Sequence, residues 1–340
     1  MRMVARCVRG LESLLATEIL RYEVGTVTRI GHREVRFRTG SPPAGTARLR
    51  TADDAFLLVA RMPDIGPSRA AVAGLTDLAA SADLRHVPAG QDVEVSASFL
   101  GRRRFNRYDV EDAVGRALAA RLHVRYHSRR DGGRPPQGCQ GWRLTLDGAH
   151  ASLMLRVSER PLHRRPYKRS TIPGTLHPPV AAAMALLADI QPGQVVADPC
   201  CGAGTPLIEA ANLHPGATFR GFDTAPAALR AARENARGLP IVLRRGDAGD
   251  LPLGDTSVDR VITNPPWGAQ VSPSGLLARD PRRFWTELRR VLTPKGAAVV
   301  LIPDPGALAS AIREGLTPVH VQQIRLAGTH SHLVRLHRRP

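Results

Sequence analysis

The chain has 340 residues, 48 Lys+Arg against 30 Asp+Glu, a net charge of +18 and a pI near 11.3. That length accommodates two or three domains with well-buried cores, and that charge favours a polyanionic partner over a neutral or cationic one. The longest apolar window, 180–187, is far too short for a membrane span, and no signal-peptide core follows Met1, so a soluble intracellular protein is expected.

The charge is unevenly spread. Residues 1–170 carry 30 basic and 17 acidic side chains, a net of +13, and residues 171–340 carry 18 and 13, a net of +5. Only Lys168 and Lys295 are lysines. An arginine excess beside much Ala, Gly and Pro also reflects GC-rich coding, so the charge supports a nucleic-acid partner without establishing one. Cys7, Cys139, Cys200 and Cys201 form no zinc-spaced set and no evident disulfide. They fit reduced thiols in a cytoplasmic protein without a metal.

Residues 3–8 read as a strand and 10–20 as an amphipathic helix with Leu11, Leu14, Leu15 and Ile19 on one face. Strands follow at 26–30 and 34–38, then the turn Gly40-Ser41-Pro42-Pro43, an apolar run at 54–60 and a helix at 69–80. This β-α-β-β pattern predicts a small α+β unit of ferredoxin-like type over 1–66.

A second unit is expected over 67–160. It opens with a strand at 93–97. The loop Gly101-Arg102-Arg103-Arg104-Phe105-Asn106-Arg107-Tyr108 precedes a helix at 110–122, with Asp109 placed to cap it. A Gly/Pro-rich loop carrying Arg129, Arg130 and Arg134 leads to strands at 142–146 and 151–157, joined across Asp147-Gly148. Arginines interleaved with Phe105 and Tyr108 suit phosphates and unstacked bases, although solvated arginines are the plainer reading. Residues 161–178 form a basic linker that includes Lys168.

From 179 to 340 the pattern becomes that of a parallel sheet with covering helices. Strands are expected at 195–198, 218–223, 241–244, 260–263 and 297–302, with a final antiparallel hairpin of 319–326 and 332–336 around Gly328. Helices are expected at 179–188, 206–213, 226–236, 281–292 and 306–314.

The chemistry gathers at the strand ends. Asp198-Pro199-Cys200-Cys201-Gly202-Ala203-Gly204-Thr205 is a glycine loop between strand and helix. Gly202 and Gly204 leave no Cβ in the way of a ligand, while Thr205 is placed to cap the helix and Pro206 to start it. Leu207 stands where a dinucleotide loop wants its third glycine, and no Walker lysine is present, so a nucleoside without a pyrophosphate fits better. Asp223 ends the second strand, where a carboxylate accepts from ribose hydroxyls. Asp247, after the third, can accept from an adenine amino group, with the Ala248 N–H reading the ring.

The fourth strand ends in Asn264-Pro265-Pro266-Trp267. Two prolines stiffen this turn. The Asn264 side-chain carbonyl and the Pro265 backbone carbonyl offer two acceptors for a planar amine, and Trp267 offers a face to a base. Each of these residues alone is more often a turn, cap or core residue. Four in order, at four consecutive strand ends, define one crevice.

The glycine loop, the Gly221-Phe222-Asp223 strand end and the Asn-Pro-Pro-Trp turn resemble those of S-adenosylmethionine-dependent N-methyltransferases. Nearly the whole chain is similar to the THUMP-domain-containing RNA guanine-N2 methyltransferases. The resemblance implies a Rossmann-like domain with a seven-stranded, mostly parallel sheet and a C-terminal antiparallel hairpin, preceded by ferredoxin-like and THUMP RNA-binding modules. It implies S-adenosyl-L-methionine held by Asp198, Cys200, Gly202, Gly204, Asp223, Asp247, Ala248 and Asn264, with the amine held at Asn264, Pro265, Pro266 and Trp267. With the RNA-binding modules it implies, the basic and aromatic residues expected to meet RNA are Arg102, Arg103, Arg104, Phe105, Arg107, Tyr108, Arg129, Arg130, Arg134 and Lys168. Two departures stand out: Trp267 where the family often has Tyr or Phe, and Cys200 in place of a bulkier residue. The expected reaction is methyl transfer to the N2 amine of a guanosine in tRNA, by a cytoplasmic monomer. The alternatives are 23S rRNA as substrate, a DNA adenine-N6 or protein glutamine methyltransferase, and an inactive RNA-binding protein. A glutamine enzyme has no need of the basic first half. A DNA enzyme wants a recognition module, and no helix-turn-helix or zinc finger is apparent. The intact acidic set argues against inactivity.

Overall fold

In the computed structural model, residues 1–340 are described except 41, 42, 269, 327 and 340. The turn expected at 40–43 thus lies, at Ser41 and Pro42, outside the described residues. The chain divides into two units, Met1–Arg6 with Ala16–Leu162 and Cys7–Leu15 with His163–Pro340, a division that falls inside helix α1 (Glu12–Arg21).

The first unit is built on a seven-stranded sheet. Its strands are β1 (Arg2–Arg6), β2 (Thr26–Gly31), β3 (Glu34–Arg38), β4 (Asp54–Pro63), β5 (Val93–Phe99), β6 (Gln140–Leu146) and β7 (His150–Arg156), in the order β2-β3-β1-β4-β7-β6-β5. All neighbours are antiparallel except β5 and β6. The expected modules 1–66 and 67–160 therefore share one sheet, joined where β4 pairs with β7 from Phe56↔Arg156 to Pro63↔His150. No local pattern in the sequence reveals this, because the pairing partners lie far apart along the chain.

The strands of this sheet bury Trp142, Leu144, Leu153 and Leu155. The helices of the unit start differently from expectation. The helix expected at 69–80 is a 3₁₀ turn (Ala70–Gly74) followed by the short α2 (Leu75–Ala80). α3 spans Arg107–Leu122 and is capped by Asn106, not by Asp109. The Asn106 side chain accepts from the Tyr108 and Asp109 N–H groups at 2.8 and 3.1 Å, and Asp109 accepts the Asn106 N–H at 3.0 Å. Asp109 is the reciprocal half of a capping box.

The second unit carries β8 (Val195–Asp198), β9 (Thr218–Asp223), β10 (Ile241–Arg245), β11 (Val258–Thr263), β12 (Leu292–Ile302), β13 (Leu316–Leu326) and β14 (Thr329–Arg338), ordered β10-β9-β8-β11-β12-β14-β13. The first five are parallel and the last two form the antiparallel hairpin. The helices are α4 (Pro178–Ala188), α5 (Thr205–Leu213), α6 (Pro226–Asn235), α7 (Gly275–Arg279), α8 (Arg282–Val291) and α9 (Pro305–Arg313). The short α7 has no counterpart among the expected helices. α4 is buried along nearly its whole length, as its run of alanines permits, and among the described residues no helix is long and apolar enough to cross a membrane.

Residues 7–15 belong to this unit and not to the N-terminal module. The Arg9 carbonyl accepts the Arg325 N–H at 2.9 Å, and the Gly10 carbonyl accepts from the Gln322 side-chain amide. Gly10 has φ +97°, and any Cβ there would overlap the Gln323 carbonyl. The strand expected at 3–8 accordingly stops at Arg6, where the chain leaves one sheet for the other.

Candidate active site

β8 pairs with β9 on one side and β11 on the other, so the strand order reverses at β8. The crevice outside the carboxyl edge at such a switch point is where open α/β sheets hold ligands. Asp198 ends β8, Asp223 ends β9, Asp247 follows β10 and Asn264 follows β11.

The glycine loop folds back onto β9. The Cys201 N–H donates to the Phe222 carbonyl at 2.8 Å, and the Gly204 N–H to the Cys201 carbonyl at 2.7 Å. Gly202 and Gly204 have φ of +52° and +81°, which disfavours any side chain at either. Their reasons differ. Nothing lies within 4 Å of a Cβ at Gly202, so that position leaves room for a ligand, whereas a Cβ at Gly204 would meet Ala232 Cβ at 3.3 Å. The cap of α5 is Gly204, and Thr205, expected as the cap, is instead its buried first residue.

Asp198 is fully buried. Its Oδ1 accepts the Cys200 N–H at 3.1 Å, while Oδ2 and the buried Thr263 hydroxyl each lack a well-formed hydrogen bond. Burial pushes the Asp198 carboxyl up to about 7, against the opposing pull of Thr263 and the Cys200 N–H. A buried carboxylate oxygen with capacity to spare suits a cationic ligand group. The Cys200 thiol is raised well above its ordinary range by burial and by the negative Asp198, Asp223 and Asp247, so it stays neutral.

Asp223 spans the loop and the next helix: Oδ2 accepts the Gly202 N–H and Oδ1 the Ala225 N–H, both at 2.9 Å. Each oxygen retains a lone pair for a hydroxyl. The Asp247 carboxylate accepts from Gly249 and from Leu276 at the start of α7, both at 2.9 Å, and Ala248 is buried. Asn264 is half-buried, Pro265 buried, and no described residue takes the Asn264 side-chain amide. Trp267 is anchored: its indole N–H donates to the Leu301 carbonyl at 2.8 Å, and its ring lies 6.2 Å from Phe284 and 6.0 Å from Trp285. The aromatic thus fixes the turn to β12 and α8.

Four residues complete the site's frame: Gly221, already read in the Gly221-Phe222-Asp223 strand end, and Thr263, Glu209 and Asn235, which the sequence does not single out. Thr263 stands beside Asp198. At Gly221 a Cβ would lie 2.7 Å from Leu243 Cδ2 and 2.8 Å from Leu207 Cδ1, so only glycine lets β9 pass. Glu209, in the apolar α5, is fully buried and accepts from Arg165 Nε at 2.9 Å and the Tyr167 hydroxyl at 2.7 Å. Asn235, on the buried stripe of α6, binds residues 169, 170 and 203. A lone acid or amide among alanines and leucines at helical spacing is the available signal for the last two. The stretch 163–178, within the expected basic linker, is accordingly part of this unit.

The residues expected to meet RNA separate into two groups. The Arg103 side chain, 6% exposed, forks onto Asp64 at 2.7 and 2.9 Å, and Phe105 is buried edge-on against Phe99 at 5.5 Å. Both are interior residues, contrary to expectation, because the loop folds over Asp64. Arg129 is tied to Glu94, and Arg130 to Asp109 and Asp112 at 2.9 and 2.8 Å, so neither offers an uncompensated charge. Arg102, Arg104, Arg107 and Arg134 are exposed, with Arg107 4.6 Å over the Tyr108 ring. Lys168 is half-buried, and that burial lowers its pKa. No cluster of metal-ligating residues occurs among the described residues.

The family model UPF0020, the RMKL-like methyltransferase domain, matches residues 165–332. The chain is 32% identical over 332 residues to the tRNA (guanine(6)-N2)-methyltransferase of Thermus thermophilus, covering 94% of this chain and 95% of that protein. It is 34% identical over 176 residues to the mouse U6 snRNA (guanine-N(2))-methyltransferase THUMPD2, covering 48% of this chain and only 33% of that longer protein. Among solved structures it superposes on TrmN from Thermus thermophilus with a TM-score of 0.81 and 29% identity, covering 99% of both chains.

Proposed function

Because the chain belongs to the family of S-adenosylmethionine-dependent tRNA guanine-N2 methyltransferases, we propose that it methylates the exocyclic N2 amine of a guanosine in tRNA. Guanosine 6, the nucleotide in the Thermus relative's name, is the first position to test. One observation carries the reading: four polar side chains stand at consecutive strand ends of one switch-point crevice, the last of them in a stiff Asn-Pro-Pro turn.

The donor supplies a methyl made electrophilic by its sulfonium. The open space at Gly202, the spare oxygen of buried Asp198 and the carboxylate of Asp223 fit its amino acid and ribose ends. Asp247 and the Ala248 N–H are assigned to the adenine, and Cys200 lines the methionine loop as a neutral thiol. The amine to be methylated is a weak nucleophile, since its lone pair is shared with the ring. Asn264 Oδ1 and the Pro265 carbonyl hold its two hydrogens, aim the lone pair and stabilise the positive charge that develops on nitrogen. Pro266 and Trp267 keep that turn rigid, and any part of the indole left uncovered is available to the extruded base. No strong base is required, because the methylated amine becomes acidic and gives up its proton afterwards.

The first unit, read as ferredoxin-like and THUMP modules, supplies RNA affinity through Arg102, Arg104, Arg107 with Tyr108, and Arg134. The reading takes the working unit to be a monomer acting in the cytoplasm, and it is supported by one chain carrying the full set of proposed site residues. The deciding experiment incubates the protein with labelled S-adenosylmethionine and tRNA, ribosomal RNA, DNA or protein, then maps the modified nucleoside. Label in N2-methylguanosine of tRNA is the expected result, and label confined to another polymer would overturn the substrate.

A further inference from the structure

The Asn235 amide is buried and every one of its hydrogen-bonding positions is filled. Its Oδ1 accepts the Arg169 and Ser170 N–H groups, both at 2.9 Å, and its Nδ2 donates to the Ser170 carbonyl at 2.9 Å and the Ala203 carbonyl at 3.0 Å. Ala203 sits between Gly202 and Gly204, the two positive-φ residues of the glycine loop. One side chain therefore ties the segment entering this unit to the loop that faces the donor. The same segment is held a second time, through Arg165 and Tyr167 on the buried Glu209 of α5.

We propose that Asn235 is a positioning residue for the donor site: by clasping residues 169–170 and the Ala203 carbonyl together, it sets the glycine loop in its ligand-binding conformation. The physical reason lies in the loop's own chemistry. Glycines at 202 and 204 make the backbone permissive, so the loop's shape must come from outside bonds. The Phe222 carbonyl supplies one, to the Cys201 N–H, and Asp223 another, to the Gly202 N–H, but only Asn235 is seen to hold the peptide between the two glycines, at the Ala203 carbonyl. Loss of the amide leaves four backbone groups, the buried Ala203 carbonyl among them, without this partner and frees the peptide between the two glycines.

The inference rests on the donor-binding reading above, so both are measured on the full chain. Calorimetry with S-adenosylmethionine gives the affinity, hydrogen exchange over residues 200–205 of the ligand-free protein gives loop order, and thermal unfolding controls for the fold. Asn235→Ala should weaken donor binding about tenfold or more and speed exchange in the loop, with tRNA affinity within about twofold of wild type. Asn235→Asp keeps the acceptor toward Arg169 and Ser170 but cannot donate to Ala203, and should show the same donor defect with a smaller loss of thermal stability. It serves as the test if the alanine variant does not fold. Folded variants with wild-type donor affinity and unchanged loop exchange would overturn the inference alone. A wild-type chain that does not bind the donor would overturn the donor reading as well.

Discussion

Asn264→Ala is the sharpest perturbation of the proposed chemistry, because at this residue fold and catalysis separate. The side chain is half-buried at the end of β11, and no described residue bonds its amide, so truncation strands no partner. The turn is held by other means: the buried Pro265, the Trp267 indole N–H on the Leu301 carbonyl at 2.8 Å, and ring contacts with Phe284 and Trp285. Stability should therefore change by less than about 1 kcal/mol, the range of substitutions that break no buried bond. The methylation rate should fall by about 10²–10³, or roughly 2.7–4 kcal/mol, the scale on which a single preorganised polar group acts in the transition state. tRNA affinity should hardly move and donor affinity should change only modestly, since the bond to the amine strengthens chiefly as charge develops on the reacting nitrogen. Asn264→Asp should retain partial activity, because a carboxylate also accepts from the amine. Single-turnover methylation of tRNA beside thermal unfolding of the same preparation makes the measurement. A well-folded Asn264→Ala protein that methylates at near wild-type rate would refute the mechanism.

Four further outcomes are expected. Asp223→Ala should weaken S-adenosylmethionine binding by roughly 1.5–3 kcal/mol through the loss of charge-assisted hydrogen bonds, read by calorimetry, and unchanged affinity would remove Asp223 from the site. Donor affinity should depend on pH through Asp198: its carboxyl, raised to about 7 by burial, is protonated below that pH and must ionise to meet a cation. Affinity should accordingly fall as pH drops below about 7, by up to about tenfold per unit, and level off above it, whereas a flat profile from about pH 5.5 to 8.5 would detach Asp198 from the ligand. Reversing Arg102 and Arg104 to Glu in the full chain should weaken tRNA binding and flatten its log–log salt dependence by about 0.7–0.9 for each phosphate no longer neutralised. Arg103→Glu should instead unfold the loop around Asp64, and equal tRNA affinity in the Arg102/Arg104 double variant would place the RNA surface elsewhere.

Order and spacing along the chain were enough to give the second unit's architecture and its crevice. Strands of a parallel sheet are short apolar runs bounded by loops, and residues at their carboxyl ends fall in one place whatever the packing details. Asp198, Asp223, Asp247 and Asn264 are therefore legible without coordinates. Helix termini are less so: Asn106 and Gly204, not Asp109 and Thr205, cap their helices, because capping depends on one residue's φ and ψ, which composition does not fix. Long-range pairing and burial emerge from the folded chain alone. The β4–β7 pairing merges two expected modules, Gly10 carries residues 7–15 into the second unit, and Asp64 draws Arg103 out of the basic surface. Folding also brings Glu209 and Asn235, one acid and one amide on apolar helices, to the stretch 165–170 and so ties it to the glycine loop. A charge or amide in a sequence carries no sign of its partner, and the energy of burying it depends wholly on whether that partner arrives.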